Sequence, residues 1–127
     1  MSVSITAAEH FRAKLAHETD AWDLRTMLRE QLNVVVIDAR SETAYLQEHI
    51  PNAISFPHAT MDLKSTESLD RTALYVTYCD GIGCNASTKG ALKLAELGFG
   101  VKELIGGIEW WKRDGYPTET ALVAIRG

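Results

Sequence analysis

The chain has 127 residues, is 46% hydrophobic and 24% charged, and carries a net charge of −4 from 13 basic and 17 acidic residues. That length suits one domain with one core, and the acidic balance argues against a general nucleic-acid or anionic-membrane role. No apolar run approaches the roughly 20 residues that span a bilayer, and Met1-Ser2-Val3-Ser4 does not begin a basic segment followed by an apolar core, so a cytoplasmic location is expected.

Ser4 or Thr6 is placed to cap a first helix, with Ala8, Phe11 and Leu15 recurring at helical spacing as a core-facing stripe. A second helix is predicted over 21–32, capped by Asp20, with Leu24, Met27, Leu28 and Leu32 as its apolar stripe and Trp22 packing on the preceding segment. Val34-Val35-Val36-Ile37 is continuously apolar and β-branched, the mark of a strand buried on both faces of a parallel sheet. It runs into Asp38-Ala39-Arg40, polar residues at a strand's carboxyl end, where they edge a site. A short helix from Glu42 to Gln47 follows, capped by Ser41; then comes a turn at Glu48-His49-Ile50-Pro51-Asn52 and a short strand at 53–56. Residues 58–72 read as a loop with one helical turn.

Ala73 to Tyr78 is a second buried strand, followed by Cys79-Asp80-Gly81-Ile82-Gly83-Cys84-Asn85-Ala86-Ser87 and a helix with Ala91, Leu94 and Ala95 on one face. Gly98-Phe99-Gly100 closes that helix, 101–105 form a last strand, and Gly106-Gly107 opens a helix over 108–113 that Gly115-Tyr116-Pro117 stops. One of Trp110 and Trp111 is expected in the core and the other at the site wall or an interface. The apolar tail over 121–125 is expected to dock on the body. Alternating strands and helices define an α/β fold with a mainly parallel sheet and helices on both faces.

Cys79 thus stands where a buried strand ends and a glycine-containing loop turns into a helix N-terminus. Main-chain N–H groups and the helix end at such a place favour thiolate over thiol. In a reducing compartment the two cysteines are expected to be free, catalytic or redox-active rather than a structural staple. The histidines, His10, His17, His49 and His58, are scattered, and no paired-ligand spacing predicts a metal site.

Four features in order carry a family resemblance: Asp38-Ala39-Arg40; Tyr45 with Glu48-His49-Ile50-Pro51-Asn52-Ala53; Tyr78-Cys79 with its loop; and Gly106-Gly107 through Trp110 or Trp111 to Gly115-Tyr116-Pro117. Together, over about residues 17–120, they closely resemble the single-domain rhodanese family of sulfurtransferases. Residues 1–16 then read as an N-terminal helical extension and 17–127 as the rhodanese-like domain. The resemblance implies a central parallel sheet of about five strands and a catalytic Cys79. It also implies a persulfide formed from a thiosulfate-like donor, then handed to a thiol, to a cyanide-like acceptor or to a protein sulfur carrier. No metal or organic cofactor is implied. Asp38, Arg40 and His49 take supporting roles: an ion pair and hydrogen bonds that pin neighbouring loops, and a donor that locks the turn before Pro51. His58 follows Phe56-Pro57, toward the pocket rim.

The loop departs from the family pattern of Cys-x-x-Gly-x-Arg-Ser. It is about two residues longer, which puts Ser87 at the family serine and Ala86 at the family arginine. With no arginine in the loop to clamp a doubly charged donor, efficient use of thiosulfate is less expected, and Lys89 is only a flexible point charge. A phosphatase or arsenate-reductase relative ranks below a sulfurtransferase for the same reason. Cys84 is the candidate redox partner of Cys79, which gives the alternative of a non-catalytic or redox-sensing module.

Overall fold

A computed structural model describes residues 6–121. Its elements run α1 (Ala7–His17), β1 (Glu18–Thr19), α2 (Ala21–Arg29), β2 (Val34–Asp38), α3 (Glu42–Gln47), β3 (Ile54–Ser55), β4 (Leu74–Tyr78), α4 (Ala86–Glu96), β5 (Gly100–Leu104) and α5 (Gly107–Arg113). The strands form one five-stranded sheet in the order β1-β5-β4-β2-β3, with every pairing parallel. β4 lies at the centre, and Val34 to Asp38 of β2 run in register with Leu74 to Tyr78.

Alternation along the two central strands divides the core between the sheet faces. Val36, Val76 and Tyr78 pack on one face with Ala21 and Leu24 of α2 and with Ile108 and Trp111 of α5. Ile37 and Tyr75 face the other way, against Leu94 of α4, Phe99 and Met61. A strand flanked on both faces must be apolar throughout, which is why β2 and β4 stand out in the sequence.

Three expectations are corrected. Thr6 Oγ accepts from Glu9 N–H and caps α1 (Ser4 lies outside the described residues), but Phe11 and Leu15 are exposed, at 59% and 80%, so the α1 stripe is not core. α2 stops at Arg29 because Gln31 takes a left-handed φ of 56°; Leu32 beyond it is half exposed, and Trp22, at 69%, is exposed rather than packed on the preceding segment. β1 was not expected at all: two residues, Glu18 and Thr19, complete the sheet by pairing with Glu103 and Leu104. Between β3 and β4, His58–Thr60 form a single 3-10 turn. Of the tail, only Ala121 is described, its N–H donating to the Leu46 carbonyl; the expected docking of the rest lies outside the described residues.

Candidate functional site at the carboxyl edge of the sheet

Cys79 is the first residue beyond β4 and is 2% exposed. Its loop is held from α5. The N–H of Ile108 donates to the Cys79 carbonyl at 3.0 Å, and that of Glu109 to the Asp80 carbonyl at 2.9 Å. Because a trans peptide points its N–H opposite to its C=O, these bonds turn the N–H groups of Asp80 and Gly81 away from α5. Gly107 makes the approach possible. It has a φ of 59°, and a Cβ there would overlap the Cys79 carbonyl and lie 2.8 Å from the Asp80 carbonyl carbon.

Further along, Gly83 turns the chain at a φ of 94°, and Cys84 N–H donates to the Gly81 carbonyl at 3.3 Å. Cys84 thereby returns to Cys79. Their Cα atoms are 6.2 Å apart and their sulfurs are joined in a disulfide. Helix α4 begins two residues later, with Asn85 as an N-cap whose side chain makes no cap bond. Lys89 N–H to the Asn85 carbonyl is the first bond of the helix, so the amides of Ala86, Ser87 and Thr88 precede it at the positive end.

Cys79, Gly81, Ile82, Gly83, Cys84 and Ser87 line a cavity of about 210 Å³ closed by 103–107 of β5 and the turn into α5. The other predicted loop residues lie off this lining. Asp80 turns its carboxylate, 73% exposed, to Arg40 Nη1 at 3.1 Å, and Asn85 and Ala86 sit at the helix start. Among the described residues, Glu103 is the one charged group on the lining. Its Oε2 accepts from Ser87 Oγ at 2.7 Å and from Thr88 Oγ1 at 2.6 Å. Nothing in the sequence marked Glu103. Val101 to Ile105 show no clean alternation, and a glutamate in such a strand reads as a solvated residue. Lys89 is exposed and off the lining.

The sulfurs of Cys79 and Cys84 and a carboxylate oxygen of Asp80 lie within 4.8 Å of one another, a spacing that suits metal ligands. Bonded to each other, the sulfurs lack the thiolate charge that binds metal.

The supporting residues form one network beneath the loop. Arg40 grips Asp38 through Nε to Oδ1 at 3.0 Å and Nη2 to Oδ2 at 2.7 Å; Nη2 also donates to the Glu48 carbonyl at 2.6 Å. The Tyr78 hydroxyl donates to Asp38 Oδ2 and accepts from Ile50 N–H. Burial works against the Arg40 cation, but hydrogen bonds to Asp38 and its negative charge outweigh that and raise the pKa above the usual guanidinium value. Burial first, and then the Asp38 charge, push the Tyr78 phenol well above its ordinary range. Asp38 and Arg40 thus tie β2, the turn at 48–50 and the cysteine loop together, and Tyr78 is the member that sequence reasoning missed.

His49 sits in the same turn. Its Nδ1 is 2.8 Å from the Tyr45 carbonyl, its ring stacks on Tyr45 with centroids 3.8 Å apart, and its backbone exchanges two hydrogen bonds with Glu119. His58 packs its Cβ toward Gly90 of α4 and is not on the cavity lining. Trp111 is core at 1% exposure, while Trp110, at 40%, borders a shallow apolar groove with Ile82 and Ile105 beside the cavity.

A buried cysteine at the carboxyl edge of a five-stranded parallel sheet, cradled by a loop that runs into a helix, defines a cysteine-loop α/β domain. The chain belongs to the rhodanese-like domain family, whose model matches residues 20–114. It is 35% identical over 104 residues to the thiosulfate sulfurtransferase GlpE of Coxiella burnetii, covering 80% of this chain and 89% of that protein. It is 35% identical over 95 residues to the GlpE of Pseudomonas syringae pv. syringae, covering 73% and 84%. A crystal structure of the BH2092 protein from Bacillus halodurans superposes with a TM-score of 0.86 at 42% identity, covering 91% of this chain and 85% of that one. Among the described residues, no helix is long and apolar enough to cross a membrane.

Proposed function

We propose that the protein is a sulfurtransferase that carries sulfane sulfur on Cys79. The observation that carries this reading is the seat of Cys79 at the end of the central strand, its carbonyl held by α5 and its cavity opening beside the α4 N-terminus. With the cysteine pair reduced, the Cys79 thiolate attacks the outer sulfur of a donor. The donor's own sulfur bond breaks, its remaining part leaves with the electron pair (sulfite, from thiosulfate), and Cys79 becomes a persulfide. A thiophilic acceptor such as cyanide, a small thiol or a protein sulfur carrier then takes the outer sulfur and restores the thiolate.

The donor preferred by this cavity carries little negative charge. Glu103 lines it, no basic side chain does so among the described residues, and Arg40 is committed to Asp38 and Asp80. Thiosulfate is a dianion and is disfavoured; a thiol persulfide suits the charge better. The same lining disfavours phosphate and arsenate chemistry.

A second reading, a redox-responsive module, is favoured by one observation, the disulfide between Cys79 and Cys84. Thiocyanate formation separates the two. Cys84→Ser, which cannot form the loop disulfide, is expected to turn over when given an organic persulfide and cyanide, and Cys79→Ser should abolish turnover. Turnover that survives in Cys79→Ser overturns the assignment. No turnover, together with reversible disulfide formation under mild peroxide, supports the redox module instead.

A further inference from the structure

Cys84 has no part in simple transfer from donor to acceptor, yet the fold delivers it to the reacting sulfur. Gly83 turns the loop and the Cys84 N–H is pinned to the Gly81 carbonyl. The two Cα atoms are 6.2 Å apart, inside the range a disulfide needs. Both cysteines line the same small cavity. Among the described residues, the cavity's one charged lining group is Glu103, which has the same sign as a persulfide anion, and no side-chain cation lines the cavity to stabilise that anion. Such a site is built to discharge a persulfide rather than to store it.

We propose that Cys84 resolves the Cys79 persulfide and that the protein releases its sulfur as hydrosulfide, acting as a sulfane-sulfur reductase; this rests on the sulfurtransferase reading above. The Cys84 thiol gives up its proton, and its thiolate attacks Cys79 Sγ. The bond from Cys79 Sγ to the outer sulfur breaks. The outer sulfur leaves with that electron pair and takes up the proton as HS⁻, while the Cys79–Cys84 disulfide forms. The two cysteines are oxidised by two electrons and the sulfane sulfur is reduced to sulfide. The disulfide seen in the structure is the product state of this step.

A dithiol reductant closes the cycle. Cys79 is 2% exposed and Cys84 is the more accessible partner, so the dithiol attacks Cys84 Sγ and Cys79 leaves as the thiolate that the next donor needs. The dithiol's second sulfur then frees Cys84 and leaves the reductant as its own disulfide.

The test is a single turnover without oxygen or reductant, on reduced wild type, Cys84→Ser and Cys79→Ser, given glutathione persulfide or thiosulfate. Wild type is expected to release one hydrosulfide per chain and to end about 2 Da lighter than the reduced protein, whereas Cys84→Ser ends about 32 Da heavier and releases at least about tenfold less. Cys79→Ser should do neither. Wild type that keeps the added sulfur on Cys79 with Cys84 free overturns the inference and leaves transfer standing. Equal release from wild type and Cys84→Ser does the same. If Cys84→Ser takes up no sulfur from either donor, the sulfurtransferase reading fails and this inference fails with it.

Discussion

Arg40 and Glu103 are the two residues whose charges decide most at this site, and they act in opposite senses. Arg40 reads in the sequence as a partner for Asp38 that pins neighbouring loops, and its guanidinium is indeed closed onto Asp38, Asp80 and the Glu48 carbonyl. Asp38 is fully buried, so Arg40→Ala strands an unpaired charge and is expected to cost about 3–5 kcal/mol, read as a shift in the urea midpoint. Arg40→Lys cannot reproduce the forked grip and should recover only part of that. Glu103 lies on the cavity wall. Glu103→Gln keeps an acceptor for Ser87 and Thr88 while removing the charge, and kcat/KM for thiosulfate is expected to rise about tenfold relative to a thiol persulfide. No rise would mean that the Glu103 charge does not set donor choice.

At the scale of elements, the loop after β4 is shaped by α5, 27 residues further on in the case of Gly107 and Asp80. Gly107→Ala puts a methyl group against the Cys79 carbonyl at a φ of 59°. It is expected to cost about 1–3 kcal/mol and to depress transfer activity further than it depresses stability, by comparing melts with thiocyanate assays. The loop's own cross-link closes a short segment, with a sequence separation of 5. Chain entropy alone then predicts that reduction lowers stability by about 2 kcal/mol. A redox-linked melt that moves much more than this would show that reduction disturbs more than the loop. α1 is the contrasting element. It buries none of its residues, and Phe11→Ser or Leu15→Ser should stay within about 0.5 kcal/mol of wild type.

The same contrast explains what was legible in the sequence. Val34 to Ile37 and Ala73 to Tyr78 could be read because burial on both faces forces continuous apolar runs. α3 could be read from Ser41, which caps it by accepting from Ala44 N–H. β1 could not: two residues carry no period, and their strand exists only because β5 offers them an edge. The amphipathic α1 stripe was legible as a helix but not as exposed, since periodicity reports a helix and not what covers its face. At the site, Cys79, its loop and the Asp38–Arg40 pair were legible because chain order places them at strand ends. The cavity's charge and the closeness of Cys84 were not, because they depend on β5 and on one glycine turn.

Over the whole molecule, parallel order β1-β5-β4-β2-β3 brings the ends of β2, β4 and β5 to one edge, so Asp38, Cys79 and Glu103 are carried to the same edge from distant parts of the chain. The opposite flank is closed by Glu48, which bonds Lys112 of α5 and Thr118 beyond it. Those bonds hold the Glu48 carboxyl below its usual pKa. The sign follows directly: this contribution is complete above the unfolded carboxyl value of about 4.3 and is lost as pH falls through the lower folded value. Glu48→Gln should therefore flatten the acid limb of stability against pH, and an unchanged limb would assign it to other carboxylates. Meeting at one edge has another outcome. An arginine introduced at Ala86, beside the Ser87 that Glu103 binds, is expected to have part of its charge offset by Glu103. Donor preference then depends jointly on the start of α4 and on β5, and the pair Ala86→Arg with Glu103→Gln is expected to shift it further toward thiosulfate than Glu103→Gln alone.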